Sequence, residues 1–205
     1  MTISFKLITF LLSASNINQC PEDNGNEVAF IGYSNAGKSS AINAITNVKN
    51  LARTSKTPGR TQLINFFGLD ANNRLVDLPG YGYAKVAKNI SCHFSQLINN
   101  YLETRESLRG IVLIMDIRHP LKKLDMDLIQ WAIECNLPLH ILLTKADKLT
   151  RNEATKTLRL VEKHLMIFNS SLITVQIFSS LNHTGLNEVK DKITDLLYPY
   201  ENRKI

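Results

Sequence analysis

The sequence is poor in cysteine and has no long apolar run, and both absences narrow what the chain can be. Its three cysteines, Cys20, Cys92 and Cys135, are too few and too scattered for a disulfide framework or a zinc site, which favours a reducing compartment. No stretch approaches the roughly 18 apolar residues of a membrane span. The apolar run 7–12 follows a single base, Lys6, and is too short for a signal sequence, so we expect it to pack on the domain. The sequence therefore predicts a cytoplasmic protein that does not contact a membrane.

The composition is that of a folded chain with an uneven charge. Of its 205 residues, 44% are hydrophobic and 20% are charged, which fits one globular domain spanning residues 1–205. The sequence has no internal repeat, low-complexity tract or interdomain linker. Residues 28–102 hold eight basic and two acidic side chains, which equals the whole net charge of +6. A basic excess gathered in one region indicates a polyanionic ligand such as nucleotide phosphates or RNA.

Short apolar runs alternate with stretches of helical spacing along the chain. The patterns predict strands at residues 27–32, 63–69, 73–77, 111–116, 139–144 and 171–178, and helices at 40–45, 124–135, 153–168 and 186–197. Turn residues 70–73 join the second and third strands as a hairpin, and Asn152 and Thr184 are candidate helix caps. This alternation predicts an α/β fold in three layers, with a mostly parallel six-stranded sheet, one antiparallel hairpin strand and helices on both faces.

The segment after the first predicted strand fits the phosphate-loop pattern G-x-x-x-x-G-K-[ST]. An apolar strand precedes it and a helical stretch follows, which is the arrangement that supports the match. The glycines let backbone N–H groups face phosphates at the start of the helix. Lys38 would reach the β- and γ-phosphates, and the Ser39 hydroxyl would bind Mg²⁺. The predicted nucleotide contacts here are Gly32, Tyr33, Ser34, Asn35, Ala36, Gly37, Lys38, Ser39 and Ser40.

Two later segments indicate which base is bound. Thr144-Lys145-Ala146-Asp147 follows an apolar strand, where a carboxylate can accept two hydrogen bonds from guanine that adenine cannot donate. The Lys145 stem would lie along the base, and the segment Ser179-Ser180-Leu181 would present a backbone N–H to the guanine carbonyl. The predicted contacts at this strand end are Phe178, Ser179 and Ser180. Taken alone, these segments also fit a solvated Lys–Asp pair and a plain turn. After a phosphate loop they predict GTP or GDP as the ligand.

Two further motifs are candidates for the switches that sense the γ-phosphate. In Asp77-Leu78-Pro79-Gly80, Asp77 would hold Mg²⁺ through water and the Gly80 N–H would face the γ-phosphate, although a Pro-Gly turn has the same pattern. The long polar segment 49–62 is typical of a functional loop. It contains Thr57 and Thr61 as candidates for a second protein ligand to Mg²⁺, and their spacing alone does not choose between them.

Taken together, the motifs resemble the EngB (YihA/YsxC) family of Era-like, translation-factor-related GTPases. The resemblance rests on the runs 34–40, 57–62, 77–84 and 116–120, with Asp125, Trp131, 144–147 and 178–181, and extends over residues 10–197. It implies a P-loop GTPase fold and a monomer that acts on ribosomal RNA and proteins in assembly of the large ribosomal subunit, is needed for normal cell division and septation, and does not bind DNA. It assigns the Mg²⁺ role to Thr61, and it adds Gly59, Arg60, Thr61, Gln62 and Leu63 to the nucleotide contacts. Tyr33 stands where the family often has arginine.

The residues also bear on hydrolysis. Tyr81 occupies the place of the usual water-orienting glutamine, so we expect slow intrinsic hydrolysis that is stimulated from outside the conventional site. Asn35 is a candidate for holding an activating K⁺, as in Era-like relatives; the alternative is an asparagine chosen for its backbone conformation. The predicted catalytic residues are Lys38, Asn35, Thr61 and Gly80, and the predicted metal ligands are Ser39, Thr61 and Asp77.

Two other functions use the same loop. An ATPase or phosphotransferase is disfavoured by residues 144–147 and by the absence of a lid rich in arginine. A binding module would hold nucleotide only for structure. Five basic residues exceed the positive charge needed to neutralise GTP with Mg²⁺: Lys49, Arg53, Lys56, Lys85 and Lys88. They predict a surface that binds RNA, and the alternative is that they are solvated residues of the switch loops. We expect His119, His140 and Trp131 to be structural.

Overall fold

The computed structural model describes residues 4–53, 63–82 and 96–198. Over these residues the strands are β1 (Thr9–Ala14), β2 (Asn26–Gly32), β3 (Ile64–Gly68), β4 (Asn73–Asp77), β5 (Leu108–Asp116), β6 (Leu139–Thr144) and β7 (Ile173–Ile177). The α-helices are α1 (Lys38–Thr46), α2 (Gln96–Thr104), α3 (Lys123–Glu134), α4 (Arg151–Leu165) and α5 (Leu186–Leu197). Among these helices, none is long and apolar enough to cross a membrane.

All seven strands described belong to one sheet, in the order β1-β3-β4-β2-β5-β6-β7. Strand β2 pairs in parallel with β4 and β5, and β5, β6 and β7 continue in parallel. Strand β3 is antiparallel to both of its neighbours, β1 and β4, so it alone runs against the rest. The predicted α/β fold with one antiparallel hairpin strand is confirmed. The prediction of six strands is wrong, because the run expected only to pack on the domain pairs with the open edge of β3 as β1.

Helices cover both faces of the sheet, and the central strands are buried on both sides. On β5, Ile111, Leu113 and Met115 pack toward α2, α3 and α4, whereas Val112 and Ile114 pack toward α1 and α5. Each fully buried aliphatic side chain of this kind stabilises the fold by about 1.5–3 kcal/mol. Helix α2 was not predicted. The signal that could have found it is the repeat of apolar pairs at 97–98 and 101–102, one helical turn apart.

The predicted caps of α4 and α5 are both wrong. Helix α4 begins two residues earlier than predicted, in a capping box in which the Thr150 hydroxyl accepts from the Glu153 N–H and the Thr150 N–H donates to the Glu153 carboxylate at 2.8 Å. Asn152 is therefore inside the first turn. The cap of α5 is Gly185, at φ +74°. The Thr184 hydroxyl instead donates to the Asn182 side chain at 2.8 Å.

A buried ionic cluster joins the amino ends of β2 and β4 to the segment after α2. The Glu27 side chain is 0% exposed, and its carboxylate accepts from Arg74 Nε at 2.9 Å and from Arg105 Nη2 at 2.8 Å. The Tyr101 hydroxyl donates to the same carboxylate at 2.8 Å. Burial and this neighbouring charge raise the pKa of Tyr101 well above its usual range, so the phenol keeps its proton. Because it lies at the amino end of β2, the cluster is at the opposite end of the sheet from the predicted nucleotide motifs.

Candidate nucleotide site

The predicted motifs meet at the carboxyl edge of the sheet, where open α/β sheets bind ligands. Gly32 ends β2, and a Cβ atom placed on it would lie 2.3 Å from the Ile114 carbonyl oxygen of β5. Only glycine therefore allows β2 and β5 to run side by side to the start of the loop. The chain then turns through Asn35 at φ +64° and Gly37 at φ +103° before α1 begins at Lys38. Residues 32–40 thus form the predicted strand–loop–helix unit.

The start of α1 is open to an anion. Its cap, Gly37, has no side chain to bond the amides of the first turn, which leaves Lys38, Ser39 and Ser40 with their N–H groups at the positive end of the helix. A Cβ on Gly37 would meet the Thr144 hydroxyl at 3.4 Å, which shows how closely the loop and the end of β6 approach. This geometry is that of a phosphate cradle.

Asp77, at the end of β4, faces the same helix start. Its carboxylate forms an ion pair with Lys38 Nζ, and both side chains are nearly buried, at 4% and 10% exposed. Asn65 of β3 donates to the other carboxylate oxygen at 3.5 Å and accepts from the Ser13 hydroxyl of β1 at 2.6 Å. Sequence reasoning missed Asn65, since only the sheet pairing brings it opposite Asp77. The carboxylate of Asp77 and the hydroxyl of Ser39 are hard oxygen donors, so these residues fit Mg²⁺.

The predicted base-binding residues also converge. The Ser179 hydroxyl donates to Asp147 Oδ1 at 2.7 Å, and this bond lowers the pKa of Asp147. The carboxylate is therefore charged at neutral pH and held in one orientation. Lys145 Nζ donates to the Asn35 carbonyl at 2.6 Å, and the Thr144 hydroxyl donates to the Met115 carbonyl at 3.0 Å. The loop after β6 is thus fixed to the phosphate loop and to β5.

Asp116, at the end of β5, organises this corner. Its carboxylate accepts from Lys145 at 3.0 Å and binds the Arg118 guanidinium through both oxygens, at 2.6 and 2.9 Å. Burial would raise the pKa of Asp116, but the hydrogen bonds from Arg118 and Lys145 outweigh it and hold that pKa well below its usual range. The contact between Lys145 and Asp116 has no signal in the sequence, because 29 positions separate the two residues and only the pairing of β5 with β6 brings them together.

The remaining predicted residues divide by exposure. The side chains of Leu78 and Phe178 are 0% exposed and belong to the core, so they could contact nucleotide only through the backbone. Pro79 is buried, and Leu63 is exposed at the start of β3. Ala146, Ser180 and Gly80 lie at the same edge of the sheet as the phosphate loop. The residues singled out from the sequence that fall outside the described residues are Lys56, Thr57, Gly59, Arg60, Thr61, Gln62, Lys85, Lys88 and Cys92.

Two residues expected to be structural are built into the packing. His140 on β6 is 3% exposed, and its ring nitrogens lie 2.8 Å from the Thr174 hydroxyl and 2.9 Å from Gln176 Oε1 on β7. Burial lowers the pKa of His140 to about 4, so the ring is neutral. Trp131 on α3 is partly buried and packs against the core. His119 is exposed beside Asp116 and lines the cavity next to the phosphate loop.

Comparison with known proteins agrees with this geometry. Residues 27–145 match the sequence profile of a family described as 50S ribosome-binding GTPase. The chain is 56% identical over 181 residues to the probable GTP-binding protein EngB of Coxiella burnetii, covering 88% of each chain. It is 52% identical over 184 residues to that of Glaesserella parasuis, covering 90% of this chain and 88% of the relative.

Solved structures show the same fold. A crystal structure of a probable GTP-binding protein EngB matches with a TM-score of 0.63 at 18% identity, covering 83% of this chain and 98% of that one. Era in complex with MgGDPNP and a fragment of 16S ribosomal RNA matches with a TM-score of 0.63 at 20% identity, covering 84% of this chain and 57% of Era. At these identities the likeness concerns the fold alone. The sequence relatives decide the family: the chain belongs to the EngB family of GTP-binding proteins, P-loop GTPases that hydrolyse GTP.

Proposed function

We propose that this GTPase is a cytoplasmic, monomeric switch in assembly of the large ribosomal subunit, and that it is needed for normal cell division and septation. The observation that carries the proposal is the match of residues 27–145 to a family of 50S ribosome-binding GTPases. The geometry of the site supports the nucleotide half of the proposal, since the phosphate loop and the Asp147–Ser179 pair share one edge of the sheet. In this reading GTP orders a surface that binds the ribosomal particle, and hydrolysis releases it.

The phosphates bind along residues 32–40, with Lys38 on the β- and γ-phosphates and the Gly80 N–H facing the γ-phosphate. Ser39, Asp77 and Thr61 hold Mg²⁺, with Thr61 assigned by the family resemblance alone. Bound Mg²⁺ supplies positive charge that neutralises the β- and γ-phosphate oxygens. The amides at the start of α1 place further positive potential at the same oxygens.

Guanine is read by Asp147, whose carboxylate accepts from the ring N–H and the exocyclic amine. The Ser179 hydroxyl holds Asp147 Oδ1 at 2.7 Å, which keeps the carboxylate oriented before the base arrives. The Lys145 stem lies along the base while its amine stays on the Asn35 carbonyl. The Ser180 backbone N–H serves the guanine carbonyl oxygen.

Hydrolysis is slow in the free protein and is stimulated by K⁺ or by the ribosomal particle. The proposed K⁺ ligand, Asn35, is exposed and has φ +64°, a conformation that asparagine tolerates better than most residues. The backbone conformation is therefore an alternative reason for an asparagine at this position. A useful variant must separate K⁺ binding from backbone conformation. Asn35→Gly keeps the backbone conformation and removes the amide. We expect K⁺ to accelerate turnover over Na⁺ in the wild type and not in Asn35→Gly; equal rates of the wild type in both salts would remove the hypothesis.

The RNA-facing surface is smaller than the charge count implies. Of the eight bases in residues 28–102, Arg74 is buried on Glu27 and Lys38 is paired with Asp77. Lys49 and Arg53 are exposed between α1 and the segment that follows it. We propose that these two residues, together with Lys56, Lys85 and Lys88, bind ribosomal RNA in the GTP state, with an affinity that falls as salt is raised.

Sedimentation through a sucrose gradient with ribosomal subunits tests the proposed partner. We expect co-migration with the large subunit in the presence of a non-hydrolysable GTP analogue and its loss with GDP. Equal co-migration with GDP and with the GTP analogue, or co-migration with the small subunit, would contradict the proposal. Stronger competition by ATP than by GTP would favour the ATPase reading. Single-turnover hydrolysis that large subunits fail to stimulate would favour the binding module.

A further inference from the structure

Tyr81 directly follows Gly80, and its side chain points into the protein. The residue is 3% exposed, and its hydroxyl donates to Asp125 Oδ1 at 2.5 Å. Its ring packs edge-on against Tyr33 of the phosphate loop, with ring centres 4.7 Å apart and planes at 70°. The Tyr81 hydroxyl is therefore bonded to α3, and the Tyr81 ring packs on the phosphate loop.

The Tyr81 backbone is joined to the same loop. Its N–H donates to the Gly32 carbonyl at 3.2 Å, and its carbonyl accepts from the Ser34 N–H at 3.0 Å. Together these bonds form a short parallel bridge between Tyr33 and Tyr81. A Cβ on the preceding Gly80 would lie 3.0 Å from the Ser34 hydroxyl and 3.2 Å from the Ser34 amide nitrogen. Gly80 is thus pressed against the loop that is predicted to hold the phosphates.

Asp125 is itself fixed in place. It is 1% exposed in the first turn of α3, and its second oxygen, Oδ2, accepts from the Lys122 N–H at 3.0 Å. Both oxygens are used, so the carboxylate cannot rotate without losing a bond. Two other charged groups lie near the Tyr33 ring. The Lys122 amine is 4.5 Å from the ring centre, and Asp127 follows Asp125 by two positions on α3. Burial and the Asp125 charge raise the pKa of Tyr81 well above its usual range, so the phenol remains the donor.

We propose that the Tyr81–Asp125 pair is a clamp that holds Gly80 against the phosphate loop before GTP binds, which makes both side chains positioning residues for hydrolysis. The proposal rests on the assignment of Gly80 to the γ-phosphate made under the proposed function. A residue that orients water must reach the γ-phosphate, whereas Tyr81 is turned away from it by its bond to α3. At the place after Gly80, where other GTPases have a mobile glutamine that orients water, this chain therefore has a tyrosine that is fixed to α3.

The clamp makes the hydrolysis rate depend on a hydrogen bond that no nucleotide touches. Tyr81→Phe removes only the hydroxyl, and Asp125→Asn keeps the shape of the side chain but can accept at only one atom. A hydrogen bond to a charged group is strong enough to change a rate about ten- to a hundredfold. We expect each variant to lower single-turnover GTP hydrolysis about tenfold, because Gly80 is no longer held in place. GDP affinity, which does not use Gly80, should change less than about twofold.

The matched control is Asp127→Asn, the same chemical change two positions along α3 on a side chain that pairs with exposed Lys123 at 3.1 Å. It should leave the rate unchanged. The double variant Tyr81→Phe/Asp125→Asn should hydrolyse GTP no more slowly than the slower single variant, because both substitutions act on the same hydrogen bond. Urea unfolding of each variant identifies any that is merely unfolded, and Tyr81→Phe, which loses one hydroxyl, keeps the test open if Asp125→Asn fails to fold.

Gly80→Ala separates the clamp from the assignment on which it rests. Gly80→Ala keeps the backbone N–H, but its Cβ would press on Ser34 and displace the residue from the phosphate loop. If this variant hydrolyses GTP at the wild-type rate, hydrolysis does not depend on where the Gly80 N–H lies, and the assignment of Gly80 to the γ-phosphate is wrong. If Gly80→Ala is slow while Tyr81→Phe and Asp125→Asn hydrolyse normally, the clamp is refuted and the site assignment stands. A parallel loss of GDP affinity in the Tyr81 and Asp125 variants would also refute the clamp, because it would show a general loosening of the phosphate loop.

Discussion

Replacing Glu27 by glutamine should destabilise the fold more than any exposed charge change. The substitution removes the one buried carboxylate that faces the Arg74 and Arg105 guanidiniums, whose side chains are 9% and 5% exposed. Removing one partner of a buried ion pair costs about 3–5 kcal/mol, since the remaining charge stays desolvated. Arg74 keeps a bond to the Glu22 carbonyl at 3.2 Å, and Arg105 keeps Asp23 at 3.5 Å. These partners place the expected loss near the lower limit, at about 3 kcal/mol.

Equilibrium unfolding in urea measures this loss. With a slope of about 2 kcal/mol per molar urea, the midpoint of Glu27→Gln should fall by about 1.5 M. Asp127→Asn breaks an exposed ion pair with Lys123, one helical turn away on α3. It should shift the midpoint by no more than about 0.2 M. GTP affinity of the folded Glu27 variant should be unchanged, because the cluster lies at the opposite end of β2 from the phosphate loop. A midpoint shift as small as that of the control would refute the assigned role of the cluster.

Three further outcomes follow from the site and its packing. Asp147→Asn should lower GTP affinity by about a hundredfold or more and favour xanthine nucleotides in a competition assay, because an amide donor would face the guanine donors; unchanged GTP affinity would contradict the base assignment. Asp116→Asn should weaken GTP binding about two- to fivefold by releasing Lys145, an effect kept small by the partial exposure of that amine. His140 has a folded pKa of about 4, below its unfolded value of 6.5, so it favours the folded state above pH 6.5 and loses that contribution as the pH falls to 4. The difference in the free energy of unfolding between wild type and His140→Gln, measured in urea across this range, should shrink by up to about 3 kcal/mol as the pH falls.

The fold and the motifs were predictable because their signals are local. Strands β4 and β6 and helix α5 have the predicted residues, since each is a continuous apolar run or a helical stripe between turn residues. The phosphate loop carries its own glycines and lysine. Strand β1 was missed as a strand because a six-residue apolar run packs equally well as a coil; what decides is the free edge of β3, which lies far along the chain.

The supporting contacts were not predictable, since they join residues that only the sheet brings together. Glu27 and Arg105 are 78 positions apart, and Tyr81 and Asp125 are 44 apart. No spacing rule links such pairs. The sequence showed that Tyr81 is not a glutamine, but the direction of its hydroxyl depends on how α3 packs on the sheet. The role of each site residue toward nucleotide stays a prediction.

If Mg²⁺ binds at Asp77 as proposed, the ion pair between Lys38 and Asp77 makes metal and nucleotide thermodynamically linked ligands. Mg²⁺ alone would have to displace the lysine and leave its charge without a partner, and nucleotide alone would take the lysine and strand the carboxylate. When both arrive, each charge is transferred to a new partner. Each ligand should therefore raise the affinity for the other by the same factor. Calorimetric titration with Mg²⁺ alone should show no measurable binding, and tight binding of the free ion would contradict this linkage.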